Sequence, residues 1–216
     1  MDVDAFCASR GMRVLANPNA PTGMALPLSE IERILSSDPD RVVLVDEAYV
    51  DFGAQTALPL LAKYENLLVV RTYSKSRSMA GARLGFALGS EALIRDLETI
   101  RFSTNPYNLN RLTLLLGEAA VADDAYYMEN CKKIAATRER AAARLKELGF
   151  TLTPSQANFL FASHPAVSGE TLYSALKAQG VLVRHFKKPR ISEYVRITIG
   201  TPEPVSYTHL RAHETP

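Results

Sequence analysis

Cys7 and Cys131 are the only cysteines among 216 residues, too few for a disulfide framework or a four-cysteine zinc site. They read as free thiols in a reducing compartment, and neither is nominated as a nucleophile. An excess of charge of one sign is also missing. The 25 lysines and arginines are balanced by 23 aspartates and glutamates, a formal net charge of +2, and the two signs are interspersed. Without a basic stripe, a nucleic-acid partner is not expected. No apolar run approaches the roughly 18 residues of a membrane span, and Asp2 and Asp4 stand where a signal peptide needs a basic and then an apolar region. The chain therefore reads as soluble and cytoplasmic, with no membrane partner. Its 47% hydrophobic content suffices to bury one large core or two small ones.

What is present alternates between strand and helix signals. Short apolar runs at Met12–Leu15, Val42–Val45, Leu67–Val70 and Leu84–Leu88 predict strands. Ser29 and Glu32 form a capping-box signature for a helix burying Ile31, Ile34 and Leu35. Leu58–Tyr64 reads as a short helix and Glu91–Arg101 as a longer one. Asn105 and Pro106 break the chain. Leu109–Val121 resumes as a helix whose leucines point to more than one side, predicting burial. Asp124–Leu148 reads as one long helix stopped by Gly149, with Arg138, Glu139, Arg140, Arg144, Lys146 and Glu147 as a solvated face. Strands Asn158–Ala162, Val181–His185 and Tyr194–Ile199 then surround a helix Gly169–Gln179. The pattern implies an α/β protein with a mostly parallel sheet, followed by a smaller α+β unit.

Within that frame a set of polar residues carries chemistry. Asp46 closes a strand of apolar residues, which places a carboxylate at the strand's C-terminal end, where ligands gather in open parallel sheets. Tyr49 follows three residues later. The strand Leu67–Val70 leads through Arg71, Thr72 and Tyr73 to Ser74 and Lys75, and Arg83 sits in the glycine-punctuated stretch GARLG. Pyridoxal phosphate needs an amine, a carboxylate for its ring nitrogen, a donor for its phenolate oxygen, and hydroxyls or cations for its phosphate. Lys75, Asp46, Tyr49, Ser74 and Arg83 offer these in turn. Each has a plainer reading: Lys75 as a surface-loop lysine, Asp46 and Glu47 as a solvated turn, Arg196 as an edge-strand arginine. Tyr107 and Asn158 are further polar candidates near a substrate, or packing residues. His209 and His213 have the i,i+4 spacing of a helical metal pair beside Glu214, but two histidines in a short polar tail read as solvated side chains, and no metal is assigned.

The motifs NPNAPTG (Asn17–Gly23), VDEAYVDF (Val45–Phe52) and RTYSKSRSMAGARLGF (Arg71–Phe86) resemble those of the fold-type I, class I/II aminotransferases, and in particular the histidinol-phosphate aminotransferases. QANFLF, VLVRHF and VRITIGTPE follow in the same order as in that family, so the resemblance runs from Met1 to Glu203. It implies a partial pyridoxal-phosphate-dependent transferase fold of the aspartate aminotransferase type. By that resemblance Lys75 is the Schiff-base lysine, Asp46 the ring-nitrogen partner, Tyr49 the phenolate donor, and Ser74 and Arg83 phosphate ligands. Arg196 takes the substrate α-carboxylate, and Arg184 the substrate phosphate or the second carboxylate of glutamate. The family places an asparagine immediately before Pro-Thr-Gly, whereas this chain has Ala20 there. Asn19, one step earlier, is nominated for cofactor contact, with a simple Asn/Pro turn as its alternative.

The implied activity is transamination between histidinol phosphate and 2-oxoglutarate, with a threonine-phosphate decarboxylase-like lyase or another class I/II aminotransferase as alternatives. The implied partners are small-molecule substrates and, for the full-length parent, a second copy in a homodimer. The expected organisation is a partial cofactor-binding large domain over residues 1–122, a linking helix over 123–149, a small α+β domain over 150–203, and a tail foreign to the family over 204–216. Because Met1 lies close upstream of NPNAPTG, the family's N-terminal arm and glycine-containing phosphate loop are expected to fall outside the chain. The fragment by itself is then a candidate for inactivity.

Overall fold

Three short apolar runs become neighbouring parallel strands because each can bury a side-chain row against the same helix. The computed structural model describes residues 1–200. It divides them into a first unit, Met1–Pro18 with Ala25–Asn130, and a second unit, Asn19–Met24 with the described residues from Cys131 on. In the first unit β1 (Arg13–Ala16), β2 (Val43–Asp46) and β3 (Leu67–Thr72) pair in parallel, and β4 (Gly85–Gly89) returns antiparallel beside β3. The mostly parallel α/β reading is met. Leu15, Val43, Val45, Leu67 and Val69 alternate onto one face and meet Ile31, Ile34 and Leu35 of α2 (Leu28–Ser36), all essentially inaccessible to solvent. A short helix α1 (Val3–Ala8) precedes β1. The expected helix after residue 57 is a 3-10 turn, Leu58–Ala62.

The predicted capping box is not used. The Pro27 carbonyl already accepts from the backbone N–H groups of Glu30 and Ile31, so α2 starts one residue before Ser29 and has no side-chain cap. Glu32 instead accepts from Lys63 and Tyr64. Two later helices of this unit do carry side-chain caps: Ser90 for α3 (Glu91–Thr104) and Asn110 for α4 (Arg111–Ala122). The expected burial of the α4 leucines is corrected. Leu112, Leu114, Leu115 and Leu116 are exposed, and so are Val14, Phe86 and Leu88 on the sheet. Only the stripe of α4 carrying Thr113, Gly117 and Ala120 is buried among the described residues. A Cβ on Gly117 would come within 2.5 Å of Leu84 Cδ2, so that stripe packs closely.

The second unit contains an antiparallel sheet of order β5-β6-β8-β7, from β5 (Thr151–Leu152), β6 (Phe159–Ser163), β7 (Arg184–His185) and β8 (Tyr194–Thr198). The strand expected from Val181 shrinks to two residues, because Val181 donates its N–H to the Leu176 carbonyl at the end of a helix. That helix is α6 (Gly169–Ala178), and the long helix is α5 (Asp124–Glu147). Gly149, at φ +86°, ends α5. Its N–H donates to the Lys146 carbonyl while that of Phe150 reaches back to Leu145, the double bond of a Schellman cap. Ala141 and Leu145 of α5 pack on Leu160 and Ile199, and Leu172 and Leu176 of α6 pack on Val195. Arg138 departs from the solvated face expected of α5: it is buried and donates to the Ala157 carbonyl at 2.8 Å.

No helix among the described residues is long and apolar enough to cross a membrane. Residues 204–216, with His209, His213 and Glu214, lie outside the described residues, as do the last three of the expected small domain.

Truncating Ile34 to alanine removes a fully buried side chain and is expected to lower stability by about 2–5 kcal/mol. Leu115→Ala, on the exposed side of α4, should stay within about 0.5 kcal/mol of the parent. Urea denaturation followed by circular dichroism measures both.

Candidate active site

Because β2 and β3 run parallel, their C-terminal ends leave the sheet along one edge. Asp46 is the last residue of β2 and stands opposite Val70 of β3. Its Oδ1 accepts the Ala48 N–H at 2.9 Å, while Oδ2 has no hydrogen-bond partner among the described residues. Beyond Thr72 the chain makes a loop before β4, closed at its base by the Tyr73 N–H bonded to the Leu84 carbonyl at 3.1 Å. This loop holds Ser74, Lys75 and Arg83. The exposed Lys75 ammonium lies 5.3 Å from the centroid of the Tyr49 ring, within cation–π range. Ser74 Oγ accepts from the Thr72 hydroxyl at 2.9 Å and keeps its own proton to donate. Arg83 is exposed and uses one guanidinium nitrogen on the Ala80 carbonyl at 3.2 Å. Ser78 (φ 54°) and Arg83 (φ 55°) both adopt the left-handed conformation. Two such non-glycine residues in one short loop store strain of the kind that gathers at functional sites.

Beside Asp46, Glu47 carries no catalytic signal in the sequence beyond the reading of a turn. Glu47 is not part of a solvated turn; its side chain has 0% exposure. Arg71 donates through Nε and a terminal nitrogen to Glu47 Oε2, at 3.0 and 2.8 Å. The Thr56 hydroxyl and the Ala57 N–H complete the shell, the latter on Oε1 at 2.5 Å. A buried carboxylate needs such a complement, since desolvation costs more than a single contact returns. The pattern of partners at separations of 24, 9 and 10 residues leaves no local sequence signal.

Asn19, Arg184 and Arg196 belong to the second unit. Asn19 closes a turn: its Oδ1 accepts from the Thr22 hydroxyl at 2.9 Å and its backbone bonds Met24 and Gly23. Arg184 and Arg196 stand directly opposite each other across β7 and β8. Phe161 is opposite Arg196 on the other side, so the face of this sheet away from α5 and α6 carries aromatic rings and two guanidinium groups. Arg196 lies 5.1 Å over the Phe159 ring, and its buried Nε has no hydrogen-bond partner among the described residues. Like charges in such a position repel, and an anion between them would relieve both defects. Tyr107 is 92% exposed and Asn158 is tied by its carbonyl to the Ile199 N–H; neither placement singles out a ligand.

The family model described as aminotransferase class I and II matches residues 2–209. The chain is 56% identical over 192 residues to a histidinol-phosphate aminotransferase of Marinomonas sp. (strain MWYL1), covering 88% of this chain and 54% of that protein. It is 47% identical over 203 residues to the enzyme of the same name from Acinetobacter baumannii (strain AB307-0294), covering 94% and 56%. Among solved structures, histidinol-phosphate aminotransferase from Sinorhizobium meliloti, in complex with pyridoxal-5'-phosphate, superimposes with a TM-score of 0.84 at 25% identity, covering 93% of this chain and 56% of that one. The chain thus spans a little over half the length of these relatives.

Removing the Glu47 carboxylate strands Arg71 beside apolar strands. Glu47→Ala is expected to cost about 3–5 kcal/mol of stability, whereas Glu32→Ala, which breaks a pair with the exposed Lys63, should cost under about 1 kcal/mol. Denaturant midpoints compared at constant slope give both values.

Proposed function

The chain belongs to the aminotransferase class I and II family, and from that premise we propose that it is part of a pyridoxal-phosphate-dependent enzyme of histidine biosynthesis. The reaction is amino transfer between glutamate and imidazole-acetol phosphate, giving histidinol phosphate and 2-oxoglutarate. The observation that carries the reading is the convergence of Asp46, Tyr49 and Lys75 at one sheet edge, with Lys75 against the Tyr49 ring.

The donor set fits the cofactor. Pyridoxal phosphate, when bound, supplies an aldehyde carbon and a ring that withdraws electrons from a carbon attached to the substrate nitrogen. Lys75 offers the amine for that aldehyde and then moves a proton to and from the substrate α-carbon. The unpartnered Oδ2 of Asp46 holds a proton on the ring nitrogen. Tyr49 donates its phenol to the ring oxygen, while Ser74 and Arg83 hold the phosphate. Asn19 has a lesser role: its side-chain oxygen is engaged by Thr22, which leaves only its amide N–H groups for the ring oxygen.

Arg196 binds the substrate α-carboxylate, a role supported by its buried, unpartnered Nε. Arg184, opposite it, takes the second carboxylate of glutamate or the phosphate of the other substrate. No nucleic acid is involved. The domain scheme of a cofactor-binding part, a linking helix and a small part carrying the arginines accompanies this reading. The parent enzyme works in the cytoplasm as a homodimer; the exposed Leu112, Leu114, Leu115 and Leu116 of α4 support the pairing by offering neighbouring apolar side chains to a partner.

Incubating the chain with pyridoxal phosphate and reducing with borohydride should fix the cofactor on the peptide containing Lys75, and Lys75→Ala should abolish that label. Label spread over many lysines, with none lost in the variant, would defeat the assignment. In protein extended to the length of its relatives, glutamate and imidazole-acetol phosphate should yield 2-oxoglutarate. Carbon dioxide released from threonine phosphate without 2-oxoglutarate would instead assign a decarboxylase. Arg196→Lys should raise the KM for glutamate by roughly tenfold or more, because an ammonium cannot reproduce the planar two-point grip.

A further inference from the structure

We propose that Ser76 and Asp51 form a clasp that positions the Lys75 amine beside Tyr49, anchored by the Glu47–Arg71 pair. Lys75 is exposed and sits in a loop with two left-handed residues, so neither burial nor regular backbone holds its side chain. Its neighbour is held. Ser76 is only 7% exposed, and its hydroxyl donates to Asp51 Oδ2 at 2.5 Å, the short distance of a bond to a charged acceptor. Asp51 lies in the 3-10 turn Val50–Phe52, whose preceding residue is Tyr49. The loop that carries the amine is therefore fastened twice to the turn that carries the phenol: once by Lys75 over the Tyr49 ring, and once by Ser76 on Asp51.

The anchor lies on the far side of Asp51. Its Oδ1 is 3.8 Å from an Arg71 terminal nitrogen, and Arg71 is locked on the fully buried Glu47. Side chains thus run without interruption from Glu47, next to Asp46, through Arg71 and Asp51 to Ser76, next to Lys75. The two residues assigned opposite ends of the cofactor ring are each adjacent to one end of this chain of contacts. Ser76, Asp51, Arg71 and Glu47 touch neither cofactor nor substrate in this account; they act by fixing the residues that do.

The inference rests on Lys75 being the reactive amine, and its test separates the two. Hydrogen exchange of the cofactor-free chain, read by mass spectrometry, should show amides 73–79 exchanging about tenfold faster or more in Ser76→Ala and in Asp51→Ala. The strand amides 43–46 and 67–70 should stay within about twofold of the parent. Asp51→Asn keeps an acceptor for the Ser76 hydroxyl but turns an amide N–H toward Arg71, so its exchange should fall between that of the parent and that of Asp51→Ala. The rate of borohydride-trapped pyridoxal phosphate at Lys75 should fall about tenfold in Ser76→Ala and in Asp51→Ala, and by less in Asp51→Asn. Exchange unchanged in Ser76→Ala, or faster everywhere alike, overturns the clasp. Faster local exchange with an unchanged trapping rate overturns its positioning role and leaves a structural hydrogen bond. No trapping in the parent defeats the cofactor reading alone, and the clasp then stands or falls on the exchange data.

Discussion

A carboxylate shut away from water organises the functional edge of this protein. The Glu47 side chain has no exposure and therefore must find all its partners within the fold. They come from three places: Arg71 on β3, Thr56 by its hydroxyl, and the backbone N–H of Ala57. Each is fixed relative to β2 by satisfying the same two oxygens. The strand exit at Asp46, the turn after Tyr49 and the start of the Lys75 loop are consequently tied to one another through Glu47 and Arg71. An apolar residue at position 47 would keep the strand but would release Arg71, and with it the side-chain contact to Asp51.

The second unit reaches its chemistry by a different route. Packing α5 and α6 on one face of an antiparallel sheet commits Leu160 and Val195 to the core, and the period of two then sends Phe159, Phe161 and Arg196 to the other face. The register that sets Arg184 against Arg196 follows from that same commitment. Two guanidinium groups over aromatic rings, one with an unpartnered nitrogen, are the features that support the proposed anion-binding role of this face.

Much of this was legible before the structure. Asp46 and Lys75 stand where apolar runs stop, and such ends are visible in a linear text. Gly149 after a long polar helix announced its own cap. The ordered motifs carried the family and with it the role proposed for Arg196, whose strand β8 lies inside the sheet and not at its edge. What could not be read has a common cause in partners distant along the chain. Glu47 looks like the second acid of a turn because Arg71 lies 24 residues away. Arg138 looks like part of a charged face because the carbonyl of Ala157 lies 19 residues away. Ser29 fails as a cap for a local reason, since Pro27 already accepts the first helical bonds. The leucines of α4 suggest burial in the sequence, yet Leu112, Leu114, Leu115 and Leu116 are exposed and among the described residues nothing covers them.

In the proposed function the acid that ends β2 and the amine in the loop after β3 face the two ends of one pyridine ring. A crystal structure of the protein grown with pyridoxal phosphate tests it directly. The account predicts continuous density from Lys75 Nζ to the cofactor, the ring nitrogen within about 3 Å of Asp46 Oδ2, and the phosphate against Ser74 and Arg83. Cofactor density elsewhere on the molecule, or a ring whose nitrogen points away from Asp46, would contradict it.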